Sequence, residues 1–197
     1  MKIYDISQEV FGCVVFPGDP SPIKEQIMST EKGDACNLTV LSMCAHNGTH
    51  IDAPYHFIND GKTVDKIDLN KLVGYAYVTT INGIVTADIA TEILEKAREI
   101  CEEASKRILI KGKATVSNEA AEFFAQSGIY LLGNESQTMG DENAPMRAHL
   151  SLLNKEVVLL EGIRLSGVPD GVYLLNSAPL NLGGCDGAPC RAILIKL

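Results

Sequence analysis

The sequence predicts an α/β or α+β domain built around a mixed β-sheet with few helices. Three observations carry this expectation. Short runs that alternate apolar and polar residues fill the first third of the chain. A helical period of three and four residues takes over in the middle. Strand-like and helix-like segments then alternate to the end. The 197 residues are 46% hydrophobic and 21% charged, enough apolar material for one sizeable core. No repeat, low-complexity tract or linker divides them, so residues 1–197 are read as one domain.

The elements follow in order. Residues 2–6, 23–28 and 37–43 alternate as strands do, and Pro17-Gly18-Asp19-Pro20 supplies a turn between the first two. Residues 75–81 are strand-like and end on the turn signal Asn82-Gly83. A helix is predicted over 88–106, because Ile89, Ile93, Ala97, Ile100 and Ala104 recur at helical steps among Glu and Lys. Thr86 or Asp88 is placed to cap it. Arg107–Lys111 follows as a strand. Ser117 or Asn118 opens a second helix to about residue 126, which Gly128 stops. Residues 129–133 form a buried strand. Pro145 suits the first turn of a third helix, 145–153, which carries His149. Residues 156–160, 171–177 and 192–197 complete the strands.

Composition excludes several classes of function. A formal net charge of -8 argues against nucleic acid as a partner. No stretch approaches the ~18 apolar residues of a membrane span. Asp5 and Glu9 interrupt the apolar residues at the N-terminus, so no signal-peptide core is read there and a cytoplasmic protein is expected. The six cysteines lie at 13, 36, 44, 101, 185 and 190, with no C-x-x-C spacing. Reduced thiols packed as small hydrophobes are expected. Cys185 and Cys190 are the pair nearest in sequence.

The chemistry concentrates in Cys44-Ala-His-Asn-Gly-Thr-His-Ile-Asp-Ala-Pro-Tyr-His-Phe57. This segment holds His46, His50 and His56, three of the four histidines, together with Asp52. All four residues are even-numbered and would share one face of a strand. A straight strand from 46 to 56 would span roughly 33 Å, however, and ligands must converge to ~2 Å of an ion. The chain is therefore expected to bend at Asn47-Gly48 and to leave any ladder at Pro54. Imidazoles with a carboxylate and without thiolate suit zinc, manganese or iron(II). The fourth histidine, His149, is expected to face inward from its helix. Glu161 ends the apolar run 157–160, at a strand end where such folds place their chemistry. Together they complete a candidate set of His46, His50, Asp52, His149 and Glu161. Taken singly, each also reads as an ordinary packed or surface residue. Two rival functions stay open: a cysteine hydrolase using Cys44 or Cys190, and a non-catalytic protein that binds a metal or small ligand.

His46-Asn-Gly-Thr-His-Ile-Asp-Ala-Pro-Tyr-His-Phe57 resembles the H-x-G-T-H-x-D-x-P-x-H-F signature of the cyclase family of metal-dependent hydrolases, which includes bacterial kynurenine formamidase and isatin hydrolase. Phe16-Pro-Gly-Asp-Pro20, the segment from Ala148 to Leu165 and the stretch from Gly171 to Leu194 are similar to further family segments. The resemblance implies a mixed, partly barrel-like, swivelling β/β/α-type sheet flanked by a few helices. It implies that His46 and His50 ligate one metal, that Asp52 and Glu161 are shared carboxylates, and that His149 ligates a second metal. It implies His56 as catalytic acid/base and Phe16 as a substrate contact. The cofactor implied is a divalent metal, zinc first and manganese as the alternative, with one or two ions per subunit. The reaction implied is hydrolysis of an amide, formamide, lactam or lactone of a small molecule, in a homodimer or larger homo-oligomer. Phe16 stands where formamidases often carry Trp, and Gly162 where Asn is common, so the substrate within that class is left open.

Overall fold

The computed structural model describes residues 1–196. In chain order its strands are β1 (Lys2–Asp5), β2 (Ile23–Met28), β3 (Leu38–Ser42), β4 (His50–Asp52), β5 (Val73–Thr80), β6 (Gly83–Val85), β7 (Arg107–Lys111), β8 (Ala114–Val116), β9 (Leu131–Asn134), β10 (Val158–Glu161), β11 (Gly171–Asn176), β12 (Gly187–Pro189) and β13 (Ile193–Lys196). The helices are α1 (Ala87–Ile100), α2 (Asn118–Gln126) and α3 (Met146–Leu153). Nine strands form one sheet in the order β1-β13-β11-β5-β7-β9-β10-β4-β12. Its middle, β5-β7-β9-β10, is parallel, and both flanks are antiparallel. The sheet curls into a half-barrel, which gives the mixed, partly barrel-like α+β architecture expected.

The central strands are apolar on both faces, as parallel strands covered on both sides must be. Tyr77, Ile108, Ile110, Leu132 and Leu159 face the helices and join Leu94, Phe124 and Leu152 in one core. Their neighbours Ala76, Val78, Leu109, Leu131, Val158 and Leu160 face the inside of the curl and pack with Ile51, Leu72 and Leu194. Thr86 caps α1, its hydroxyl oxygen accepting the Ile89 N–H at 3.4 Å, and Ser117 caps α2 by accepting the Ala120 N–H at 3.1 Å.

Several boundaries differ from expectation. The helix predicted over 88–106 stops at Ile100, because Cys101 is extended at φ -162°, ψ 110°. The chain restarts as a 3₁₀ turn over Glu102–Lys106 that buries Ala104 and Ser105. This turn brings Glu103 within 3.0 Å of Arg107, whose buried guanidinium also donates to the carbonyls of Asn70, Lys71 and Tyr75. A buried cation needs this set of acceptors. Ala104 lies one helical step beyond Ile100, so the apolar period crosses the break without a mark. The strand expected at 156–160 is shifted to Val158–Glu161. Glu156 takes a left-handed φ of 55°, and its N–H closes the end of α3 by donating to the Leu153 carbonyl at 2.9 Å. The strand expected at 129–133 runs instead over Leu131–Asn134. The last strand covers Ile193–Lys196, and residue 197 lies outside the described residues.

β2 and β3 pair with each other as a two-stranded ribbon outside the main sheet. Ile23, Ile27, Leu38, Val40 and Leu41 are exposed on it.

Candidate metal centre

The site is built on β4, a three-residue strand that the sequence did not reveal as an element. β4 lies between β10 and β12, with His50 opposite Glu161 and Asp52 opposite Leu159 and Gly187. Residues directly opposite one another share a face of the sheet. His50, Asp52 and Glu161 therefore project together, on the side that Leu159 shares with the helices. There α3 crosses and brings His149 over them. All four side chains are buried, none more than 2% exposed.

The turn before β4 folds the chain back as the sequence predicts. Gly48 has a left-handed φ of 71°, and the Cys44 N–H donates to the Asn47 side-chain oxygen at 2.9 Å. His46 Nδ1 is thereby returned to 2.8 Å from Asp52 Oδ1. After β4, Pro54 starts a 3₁₀ turn, Pro54–His56, which carries His56 to the rim. Gly162, with φ 68°, lets the chain leave Glu161 sharply; a Cβ there would lie 2.5 Å from Gln8 Nε2 and 2.6 Å from the Gly48 carbonyl oxygen. The space that a side chain would take is filled by the hydrogen-bonded amides of Gln8 and Gln137.

Two histidines are oriented through their own backbone surroundings. His50 Nδ1 donates to the Gly48 carbonyl at 3.0 Å, and His149 Nδ1 donates to the Pro145 carbonyl at 2.9 Å. Each Nε2 is then aimed at the carboxylates. His50 Nε2 lies 3.3 Å from Asp52 Oδ1 and 3.5 Å from Glu161 Oε2; His149 Nε2 lies 3.5 Å from Asp52 Oδ2 and 3.3 Å from Glu161 Oε1. Charge-assisted hydrogen bonds close to about 2.7–2.9 Å, so these groups converge without closing on one another. Asp52 Oδ2 and Glu161 Oε1 are buried with no hydrogen-bond partner among the described residues. An ionised oxygen left so costs several kcal/mol unless something positive meets it. Two ligand-competent groups, His46–His50–Asp52 and Asp52–His149–Glu161, are joined through Asp52, and a third at the rim, His46–His56–Asp186, shares His46. The donor set, all imidazole and carboxylate, fits a divalent cation of the zinc or manganese type.

The electrostatics agree with that fit. Burial opposes charge on the three imidazoles, yet the facing carboxylates override it. Asp186 and Asp52 hold His46 up to about 11, while Asp52 and Glu161 hold His50 up to about 9 and His149 up to about 10. Burial pushes Asp52 up, but His149, His46 and His50 pull it well below the usual carboxylate range. Protons thus occupy the imidazoles when no cation does. The raised values stabilise the metal-free fold fully below pH ~6.5, and that contribution fades as pH climbs through 9 to 11. Cation binding runs the other way, since it needs the rings deprotonated. The gap in melting temperature between metal-loaded and metal-free protein should therefore widen steadily from pH 6 to pH 9. Thermal melts with and without chelator measure it, and a gap independent of pH would contradict this electrostatic account.

His56 is partly exposed and differs from the other three. Burial lowers its pKa, the charges of His46 and His149 act in the same direction, and together they outweigh Asp52 and Asp186. Its ring stacks on that of His46 at 4.0 Å between centroids and meets Phe57 edge-on at 4.5 Å. The histidines and Glu161 open into a cleft of about 220 Å³, which Phe16, Asp19, Phe57, Gln137, Thr138 and Pro145 complete. Phe16, singled out from the sequence, thus lies on its wall. Sequence reasoning missed Asp186, whose Oδ2 is 2.8 Å from His46 Nε2 and 3.3 Å from His56 Nδ1. The only signal was its position in the Gly-Gly-Cys-Asp-Gly stretch, which suggests a tight turn and nothing more.

The cysteines offer no rival centre. All six are unpaired. The Cys190 thiol is pushed up to about 12 by burial, far from thiolate reactivity. Cys44 Sγ is 3.9 Å from an Asp19 carboxylate oxygen.

The family described as "Putative cyclase" matches residues 4–140. A kynurenine formamidase of Bacillus anthracis is 32% identical over 207 aligned positions, covering 98% of this chain and 97% of that protein. A solved structure titled as a potential metal-dependent hydrolase with cyclase activity superposes with a TM-score of 0.82 at 30% identity, covering 98% of this chain and 96% of the other. Isatin hydrolase A of Labrenzia aggregata has the same fold, with a TM-score of 0.82 at 21% identity over 100% of this chain and 94% of its own.

Proposed function

The chain belongs to the cyclase family, and on that premise we propose that it is a metal-dependent hydrolase of small amides or formamides, kynurenine formamidase-like in its chemistry, with residues 1–197 acting as one catalytic domain. The observation that carries the reading is the pair of buried, unpartnered oxygens, Asp52 Oδ2 and Glu161 Oε1, faced by imidazole nitrogens. His46, His50, Asp52, His149 and Glu161 hold the cation, zinc before manganese. The two groups sharing Asp52 leave place for a second ion. A divalent cation bound there supplies Lewis acidity, polarising a carbonyl and lowering the pKa of water toward neutrality.

The chain's own side chains do the rest. His56 is neutral near pH 7 because of its lowered pKa, so it accepts a proton from the attacking water and passes it to the leaving nitrogen. Phe16, Phe57 and Pro145 flank the cleft with flat apolar surface that suits a planar acyl or aryl group. Among the described residues no Lys or Arg lines it, which favours an uncharged substrate over an anionic one. The six unpaired thiols suit a reducing cytoplasm.

The test pairs metal analysis of purified protein with a panel of formanilides, lactams and lactones, assayed with and without chelator. Hydrolysis of at least one formanilide, abolished by chelation and restored by zinc or manganese, is expected. Turnover that survives complete metal removal overturns the reading. So does a protein that binds metal tightly and cleaves nothing in the panel, which would mark the site as a binding site only.

The assembly proposed is a homodimer. An isolated two-stranded ribbon is marginal in water, and the apolar residues of β2 and β3 would otherwise be an exposed hazard. Beside the ribbon, Leu41 and Met43 share a groove with Val10, Phe11 and Leu180. A second copy related by a two-fold axis can lay its ribbon there while receiving the first. Light scattering should report a dimer in wild-type protein and a monomer in Val40→Asp; a monomeric wild type excludes this assembly.

A further inference from the structure

The residue that the sequence left unnoticed, Asp186, occupies a position that the fold clamps. Its backbone carbonyl accepts the Ala53 N–H at 2.9 Å, and the next residue, Gly187, pairs with Asp52 in the β12–β4 ladder. A Cβ on Gly187 would lie 2.7 Å from His46 Cε1 and 2.7 Å from the Ile51 carbonyl oxygen. Only glycine lets the His46 ring lie against this strand, and the same close approach sets the Asp186 carboxylate at the ring edge.

That carboxylate faces two imidazoles with one oxygen, Oδ2, at 2.8 Å from His46 Nε2 and 3.3 Å from His56 Nδ1. An aspartate is ordinarily ionised near neutral pH, and an ionised carboxylate only accepts hydrogen bonds. Both ring nitrogens that face it must therefore carry the hydrogen. For His46 this makes Nδ1, the nitrogen at 2.8 Å from Asp52 Oδ1, the one that exchanges its hydrogen for a cation. For His56 it leaves Nε2, on the opposite edge of the ring, free to take a proton. A ligand's second nitrogen held by a carboxylate is a recurrent device of metal sites, and a base oriented by a carboxylate is the logic of catalytic triads. Here one carboxylate serves both.

We infer that Asp186 is a positioning residue that fixes the tautomers of the first metal ligand, His46, and of the proton carrier, His56, through one shared carboxylate oxygen. This rests on the hydrolase reading for its consequence in turnover, but not for the tautomers themselves. The rival role is that of a direct ligand in a His46–His56–Asp186 group.

The chain's four histidines are His46, His50, His56 and His149, so nitrogen-15 correlation spectra contain only site resonances. In wild-type protein at pH 8, with or without zinc, His56 should show the Nδ1–H tautomer; an Nε2–H tautomer overturns the inference with no mutation needed. In Asp186→Asn, His56 should lose that single tautomer. Zinc affinity and kcat should each fall roughly 10- to 100-fold, with KM within about threefold and the number of ions bound at saturation unchanged. A variant that saturates with fewer ions assigns Asp186 as a ligand and overturns the proposal, as does a kcat within about twofold of wild type. If no substrate in the panel is cleaved by wild type, the hydrolase reading fails by itself, and the His56 tautomer still decides the role of Asp186.

Discussion

Asp52→Asn should yield a folded protein that retains little metal and hydrolyses substrate at least ~10³-fold more slowly than wild type. Asp52 is fully buried and joins the two ligand-competent groups His46–His50–Asp52 and Asp52–His149–Glu161. Its Oδ1 is 2.8 Å from His46 and 3.3 Å from His50, and its Oδ2, without a hydrogen-bond partner, faces His149 at 3.5 Å. Asparagine keeps the volume and the β4 backbone but removes the charge, and it turns a donor group toward nitrogens that must themselves donate lone pairs to a cation. Each of the three imidazoles then loses one of the two carboxylates that raise its pKa, and Glu161 is left as the one buried anion of the set. Replacing Asp52 by alanine should have the same consequence for metal and turnover, with an added cavity. Elemental analysis of metal per chain, circular dichroism for the fold, and initial rates decide the outcome. An Asp52→Asn protein that holds a full complement of metal and keeps more than a tenth of the activity would remove Asp52 from the centre.

How far the sequence reaches can be judged at this residue. The even spacing of 46, 50 and 52, the bend at Asn47-Gly48 and the exit at Pro54 are local rules, and β4 follows them, with Gly48 at φ 71° and a 3₁₀ turn from Pro54. Glu161 at the end of an apolar run and His149 on a helix behind Pro145 were legible for the same reason: each is set by a few neighbouring residues. That Glu161 lies opposite His50 was not, because register between β10 and β4 depends on the curl of the whole sheet. Asp186 was beyond reach. It sits in a glycine-rich turn with no period, and only the pairing of the three-residue strand β12 with β4 carries it to His46. The overlong first helix failed for the opposite reason. Its local pattern was sound, but the chain breaks at Cys101 and restarts as a turn that presents Glu103 to the buried Arg107, which apolar spacing does not record.

His56→Ala should separate chemistry from metal binding: a fall in kcat of about 10²- to 10⁴-fold with the metal content of wild type. His56 lies outside both groups that share Asp52, and its one polar partner is Asp186, at 3.3 Å from Nδ1. Removing the ring deletes a proton carrier from the rim while the buried cluster keeps every donor. The pH profile supplies the second readout. Burial, aided by the charges of His46 and His149, lowers the pKa of His56 from its ordinary 6.5. Its neutral, proton-accepting form therefore grows in at a lower pH than that of an ordinary imidazole. At saturating metal, wild-type kcat/KM should rise along that limb to a plateau, and the variant should lose the limb with its height. Added imidazole should restore part of the rate, since the cleft beside His46 would be vacated and is open to small molecules. Full hydrolysis by His56→Ala, or a loss of metal that accounts for the lost rate, would end the assignment of His56 as the proton carrier, leaving the five donors His46, His50, Asp52, His149 and Glu161 intact as a metal site.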